Sequence, residues 1–329
     1  MTSVKTLLAR LARGVVLPAA ALLLATGASA AYPDKPITII VPFNAGTTPD
    51  ILSRMLADQM GRDMGQSVIV MNRVGASGII GTQALINSAP DGYTVAYANV
   101  ATLAINQGLY KKLPYDADKQ LAPVALAGYV QNVLVVKPEL GVKSVAELIA
   151  LARKKPGALS VGSGGNGTTG HLSAEMFKSM AGVFMTHIPY KGGLEADLAL
   201  IRGEIDVLFE NITTIAPYIT SGKVVALGVT GTRRDATLPN MPTMAEAGLK
   251  GYNAVAWTGY VAPAGVDPQI LDTLNKAFNT ALNNPQMKAR LAAMAFEATP
   301  GPRNALFDLA HKERPVWADV IRKSGAAID

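Results

Sequence analysis

The chain has 329 residues, a formal charge of +6 at pH 7, 16% charged residues and no cysteine. So small a surplus offers no concentrated basic face, so no nucleic-acid partner is expected. The absence of cysteine rules out disulfide staples and an acylated lipid anchor, and the length suggests two domains held together by packing alone.

Residues 1–30 read as a signal peptide. Lys5, Arg10 and Arg13 form a basic start without an acid. The apolar run "GVVLPAAALLLATG" is too short to span a bilayer, and Ala28, Ser29 and Ala30 place small residues at a cleavage position. Their removal lowers the charge to +3 and predicts an exported, soluble, periplasmic product.

"ITIIV" (37–41) is a short β-branched run expected as a buried strand. The loop "NAGTTPD" follows it, then helical spacing through Ile51, Met55, Leu56 and Met60. "SVIVM" (67–71) reads as another buried strand, "RVGASG" as a loop, "IIGTQALINSA" as a helix and "YTVAYA" as a strand. Such alternation predicts a parallel sheet with helices on its faces. The pattern pauses near "YKKLPYDADKQLAPV" and restarts where Ser144 and Glu147 form a capping box. "LSVGS" is a strand, "GGNGT" a loop and "TGHLSAEMFKSMAG" a helix. "VFMTHI", "IDVLF", "VVALGVT" and "AVAWTGYVA" are further strands, and everything after 262 reads as helical.

In "VGSGGNGTTGHL" (161–172), Gly162, Gly164 and Gly167 match the G-x-G-x-x-G spacing of a dinucleotide turn. That reading needs a longer strand before it and an acid about 20 residues on. The strand is short and polar, and Lys191 stands where the acid belongs, so no cofactor is expected. "GASGI" lacks the spacing of a nucleophile elbow. His171, His187 and His311 are scattered, and no metal-ligand pair shares a helix. His171, in the first turn of a helix, is expected to be a neutral cap or packing group. "DAD" (116–118) resembles the opening of a calcium loop without its glycine or closing glutamate.

A polar glycine loop running from a strand into a helix suits an anion, because close backbone N–H groups and the helix dipole both favour negative charge. The first such loop offers Phe43, Ala45, Gly46, Thr47, Thr48 and Asp50. The second offers Ser163, Gly164, Asn166, Gly167, Thr168 and Thr169. Thr169 and Asp50 also suit plain helix caps. Both loops would lie beyond the carboxyl ends of their strands, where open α/β sheets bind ligands.

"YPDKPITIIVPFNAGTTPDILSR", "NRVGASGIIG", "GSGGNGTTGHLSAEMF", "HIPYKGG", "LPNMPTMAEAG" and "WTGYVAPAG" follow one another along the mature chain. In that order they resemble the signatures of the Bug-type extracytoplasmic solute receptors, the substrate-binding proteins of tripartite tricarboxylate transporters. The resemblance implies a two-lobed α/β fold of the type II periplasmic-binding-protein kind, closing like a flytrap about two crossing strands. Lobe 1 would take 32–132 and 253–329, and lobe 2 would take 133–252, with "NVLVV" and "AVAWTGYVA" as the crossovers.

The resemblance further implies a monomeric receptor that holds a small organic carboxylate between its lobes and hands it to a membrane permease. Phe43–Asp50 and Ser163–Thr169 would hold one carboxylate. "PFNAGTTPD" departs from the family's Pro-Pro-Gly-Gly-rich run, which leaves the detailed contacts open. Ser77 with its neighbour Ala76, Asn99, Glu210 and Asn211 are candidates for selectivity, and Trp257 for an apolar wall or for packing at the hinge. If Glu210 faces the cleft, a ligand bearing an amine or ring nitrogen is expected. Two other readings share the cleft: a secreted α/β hydrolase or isomerase, and a ligand-sensing domain for a signalling partner.

Overall fold

Ile37–Val41 forms β1, with every residue but Thr38 buried, as a strand covered on both faces requires. The computed structural model describes residues 32–328, so the expected signal peptide lies outside the described residues. Helix α1 (Thr48–Met64) starts with a proline in its first turn and stops at Gly65, whose φ of 67° ends it in the left-handed conformation. The next strand, β2 (Val68–Asn72), is not the buried strand expected. It forms the edge of the sheet and leaves Ile69 and Met71 exposed. Helix α2 (Ile79–Ile86) leads to β3 (Thr94–Asn99), and both β2 and β3 pair with β1 in parallel.

Short helices α3 (Asn106–Leu109) and α4 (Ala117–Gln120) come next, the latter capped by Asp116, whose side chain accepts from the N–H groups of Asp118 and Lys119. Asp118 itself pairs with Arg314 and His311, so the "DAD" segment is a cap and an ion-pair anchor. The expected pause is in fact the first half of β4 (Leu121–Val136), the 16-residue strand at the centre of the molecule. Its early part pairs antiparallel with β9 (Val255–Pro263), and its later part with β7 (Val207–Asn211) and β8 (Val225–Val229).

Between β4 and β8 the chain forms α5 (Val145–Lys154), β5 (Ser160–Ser163), α6 (Thr169–Ala181), β6 (Thr186–Pro189), α7 (Gly193–Ile201), β7 and then α8 (Ile212–Thr220). Ser144 caps α5 by accepting from Glu147 N–H, as its spacing predicts. After β9 come α9 (Pro268–Asn283), α10 (Pro285–Ala293), β10 (Phe296–Ala298) and α11 (Ala305–Ser324). The tail is therefore helical except for β10, which pairs with β4.

The strand order β2-β1-β3-β9-β4-β7-β5-β6 makes two α/β halves that share β4. "NVLVV" is the part of β4 that pairs in the second half, whereas "AVAWTGYVA" pairs wholly within the first, with β3 and β4. Along β4 the partners change between Gln131, opposite Val255, and Asn132, opposite Asn211. Thr230, where β8 ends, donates its backbone N–H to Asn132 O at 3.0 Å. Because β4 belongs to both halves, Lys35–Asp329 is one compact unit.

Candidate functional site

A cavity of about 630 Å³ lies where the carboxyl ends of β1, β3, β5 and β7 face one another. The loops after β1, β2, β5 and β6 all contribute to its wall.

The loop after β1 is held open by Asp50. Its carboxylate accepts from Gly46 N–H at 2.9 Å, from Asn72 Nδ2 at 2.9 Å and from Arg54 Nε at 3.0 Å. Burial raises the Asp50 pKa, but these donors outweigh it and hold the carboxyl below its ordinary value. With Asp50 occupied, Thr47 and Thr48 form the lip and floor of the cavity at the start of α1. Thr47, the cap residue, makes no side-chain hydrogen bond to the helix and donates instead to Asn44 O at 2.6 Å. Thr48 is 2% exposed, and its hydroxyl has no partner among the described residues. A buried, unpaired hydroxyl on a cavity wall marks a place where a ligand would complete the hydrogen bonding.

The loop after β5 is shaped from behind by two stacked histidines. The rings of His171 and His187 lie 4.1 Å apart at 19°. His187 Nε2 is 2.7 Å from Ser163 Oγ, and His171 Nδ1 accepts from Gly167 N–H at 3.0 Å. An acceptor at Nδ1 requires the neutral ring. Burial, with the nearby charge sites of His187 and Lys178, pushes His171 down to about 3, and burial with Lys178 pushes His187 down to about 4. His171 is therefore the neutral packing group expected, and it also fixes the turn. Thr168, not Thr169, caps α6.

The third wall is the loop from Pro189 to Glu195. Gly164 and Gly193 meet there, and a Cβ on Gly164 would lie 2.7 Å from Gly193 N, so only glycine permits the approach. Helix α7 starts at this contact, and Gly192 supplies no side-chain cap. Two contacts tie the halves together across the cavity: Asn44 Nδ2 donates to Lys191 O at 3.1 Å, and Ser77 Oγ donates to Asn166 O.

Of the residues singled out from sequence, Phe43, Thr47, Thr48, Ser77, Asn99, Gly164, Asn166, Thr168, Thr169 and Asn211 line this cavity, and Glu210 does too. Ala45, Gly46, Asp50, Ser163, Gly167 and Trp257 do not. Ala45 and Gly46 are exposed at the tip of their loop. Asp50, Ser163 and Gly167 act from behind the wall through the bonds just described. Trp257 is fully buried and donates from Nε1 to Glu313 Oε2 at 2.7 Å, so it packs β9 against α11 rather than walling the cleft. Asn44, within the Phe43–Asp50 loop expected to hold a carboxylate, lines the cavity as well, whereas sequence reasoning missed the segment Tyr190–Glu195. The signal was in "HIPYKGG", whose glycines stand at a strand-to-helix junction like the other two loops.

Helices α1, α6 and α7 thus direct their N-terminal turns at one cavity between two α/β halves, and α1 and α7 lack side-chain caps. This defines a two-lobed solute-binding receptor. The chain belongs to the family described as the Tripartite tricarboxylate transporter family receptor, which matches residues 52–326. It is 35% identical over 298 residues to Protein BugT of Bordetella pertussis, covering 90% of this chain and 91% of that one. Among solved structures it is similar to Rpa4515 of R. palustris with adipate, with a TM-score of 0.87 at 33% identity over 89% of this chain and 98% of that chain. MatC of Rhodopseudomonas palustris with bound malate gives 0.83 at 30% identity, over 88% of this chain and 100% of that one. The family is one of binding receptors, so the cavity holds a solute rather than transforming it.

Proposed function

We propose that this receptor works in the periplasm, captures a small organic carboxylate and delivers it to a membrane permease of the tripartite type. The observation that carries the reading is the convergence of α1, α6 and α7 on one cavity of about 630 Å³. First-turn N–H groups and aligned dipoles make each terminus attractive to an anion. The unpartnered Thr48 hydroxyl adds a side-chain donor. The similar structures of Rpa4515 with adipate and of MatC with bound malate support a ligand of this class.

In this reading the protein is a monomer exported by a cleaved signal peptide. Lobe 1 is 32–132 with 253–329, lobe 2 is 133–252, and the chain bends where β4 changes partners at Gln131 and Asn132. The Asn44–Lys191 and Ser77–Asn166 contacts belong to the closed form, which a bridging ligand favours. A thermal-shift screen over mono-, di- and tricarboxylates tests the function, because a ligand that binds only the folded state raises its apparent stability. A stabilising dicarboxylate is the expected outcome, and no response to any of these acids would remove the reading.

A further inference from the structure

At the α7 end of the cavity two acids stand on elements packed against each other, Glu210 on β7 and Asp197 on α7, and neither is in an ion pair among the described residues. Glu210 lies in the cavity wall. Its Oε1 accepts from Asn211 N–H at 2.8 Å, and the hydroxyl of Thr214 lies 3.5 Å away. Its Oε2 is turned toward the start of α7, where a Cβ on Gly193 would lie 2.9 Å from it. Asp197, one turn after Gly193 on the same face of α7, is 1% exposed, with neither carboxyl oxygen hydrogen-bonded among the described residues.

The charged neighbours are engaged elsewhere or open to solvent. Lys137 pairs with Asp206 at 2.7 Å, Lys178 with Glu175 at 2.6 Å and Arg54 with Asp50 at 2.9 Å. Lys191 and Glu195 line the cavity but are exposed, and Lys191 N–H donates to Glu195 Oε2. Tyr190 also lines it, while Tyr129 of β4, Tyr218 of α8 and His171 of α6 complete the ionisable groups on the packed elements. Two anions cannot be held together in such a place without a counter-charge.

We propose that Asp197 and Glu210 form a proton-holding pair, so that the inner wall of the cavity presents an acid O–H to a ligand carboxylate and capture draws a proton from solvent. The inference rests on the carboxylate-receptor reading for its ligand half and on the pair's own geometry for the other. Burial and the neighbouring Glu210 push Asp197 up to about 9, and burial pushes Glu210 up to about 7 against the Asn211 and Thr214 donors. An incoming anion pushes Glu210 further in the same direction. Glu210 is then the residue that discriminates, accepting a carboxylate when protonated, and Asp197 positions the proton. This replaces the amine-bearing ligand expected from sequence if Glu210 faced the cleft, since a proton held on the pair removes the need for a positive charge on the ligand.

Two measurements test it. Infrared difference spectra of the ligand-free protein at pH 7, wild type against Asp197→Asn and separately against Glu210→Gln, should show a protonated carboxyl band in the wild type that each variant weakens. Only ionised carboxylate bands would overturn the pair, and Glu210→Gln serves if Asp197→Asn fails to fold. Calorimetry with adipate and malate at pH 8, in two buffers of different ionisation enthalpy, should show uptake of up to about one proton. Affinity should fall by up to about tenfold per pH unit above 7, and Glu210→Gln should abolish both effects. Binding with no proton exchange, or with proton release, overturns the ligand half. If neither acid binds while the protonated band is present, the carboxylate reading fails and the proton-holding pair stands.

Discussion

Asn44 donates its side-chain N–H to the backbone carbonyl of Lys191 at 3.1 Å, joining the loop after β1 to the loop before α7 across the mouth of the cavity. A Cβ on Gly192 would lie 2.2 Å from that amide nitrogen, so the contact depends on glycine at 192. Asn44→Ala should loosen closure and raise the Kd of the physiological ligand about two- to tenfold, the range of one net hydrogen bond. Small-angle scattering with ligand should show a larger fraction of open molecules, with Tm unchanged in its absence.

Thr48→Val should separate binding from folding. The hydroxyl it removes is buried and unpartnered among the described residues, so the ligand-free protein should keep or slightly raise its Tm. Calorimetry should find carboxylate affinity reduced about tenfold, equivalent to ~1.4 kcal/mol. Unchanged affinity would place the ligand away from α1.

Gly164→Ala should act through the backbone. The added methyl would meet Gly193 N at 2.7 Å and Gly193 Cα at 3.0 Å, neither of which can rotate away. Denaturant unfolding should show a loss of ~1–3 kcal/mol, as for other overpacked sites. Affinity should fall as well, because the two loops are forced apart.

Acid should weaken the protein through the stacked histidines. His171 and His187 fall from an ordinary 6.5 to about 3 and about 4 in the folded state, so the unfolded chain binds more protons between those values. The stability this gives is present above about 6.5 and is lost as pH falls through the folded values. Tm should drop by several degrees between pH 6.5 and 4, and His187→Gln should flatten part of that slope. A Tm indifferent to pH over this window would mean that the rings are protonated without cost.

Much of this architecture is legible in the sequence because strand, polar loop and helix are local features. β1 with α1, and β5 with α6, reveal themselves through β-branched runs, glycines and apolar spacing. The first half of β4 stays hidden because Pro123 and Gly128 look like breaks. In the structure the register shifts beside each, between Pro123 and Ala125 and between Leu126 and Gly128, so the strand bulges at both places and continues. β2 misleads in the opposite way: its apolar run suggests burial on both faces, but only its place in the sheet decides that it is an edge. The cavity follows the same division. Loops that touch the ligand space were readable, but not which of their residues turn inward, since Asp50 and Ser163 look as polar as Thr48 and face away. The Asp197–Glu210 pair joins two elements and has no signature in either.

The placement of β9 also bears on assembly during synthesis. Strands β5 to β8 lie between residues 160 and 229 and can complete their sheet on β4 with chain already at hand. The sheet of β1 to β3 cannot, because β9, which stands between β3 and β4, begins only at Val255. On a chain growing from its N-terminus the first sheet therefore keeps an open seam until β9 has emerged, and its closure is expected to be the longer-range event.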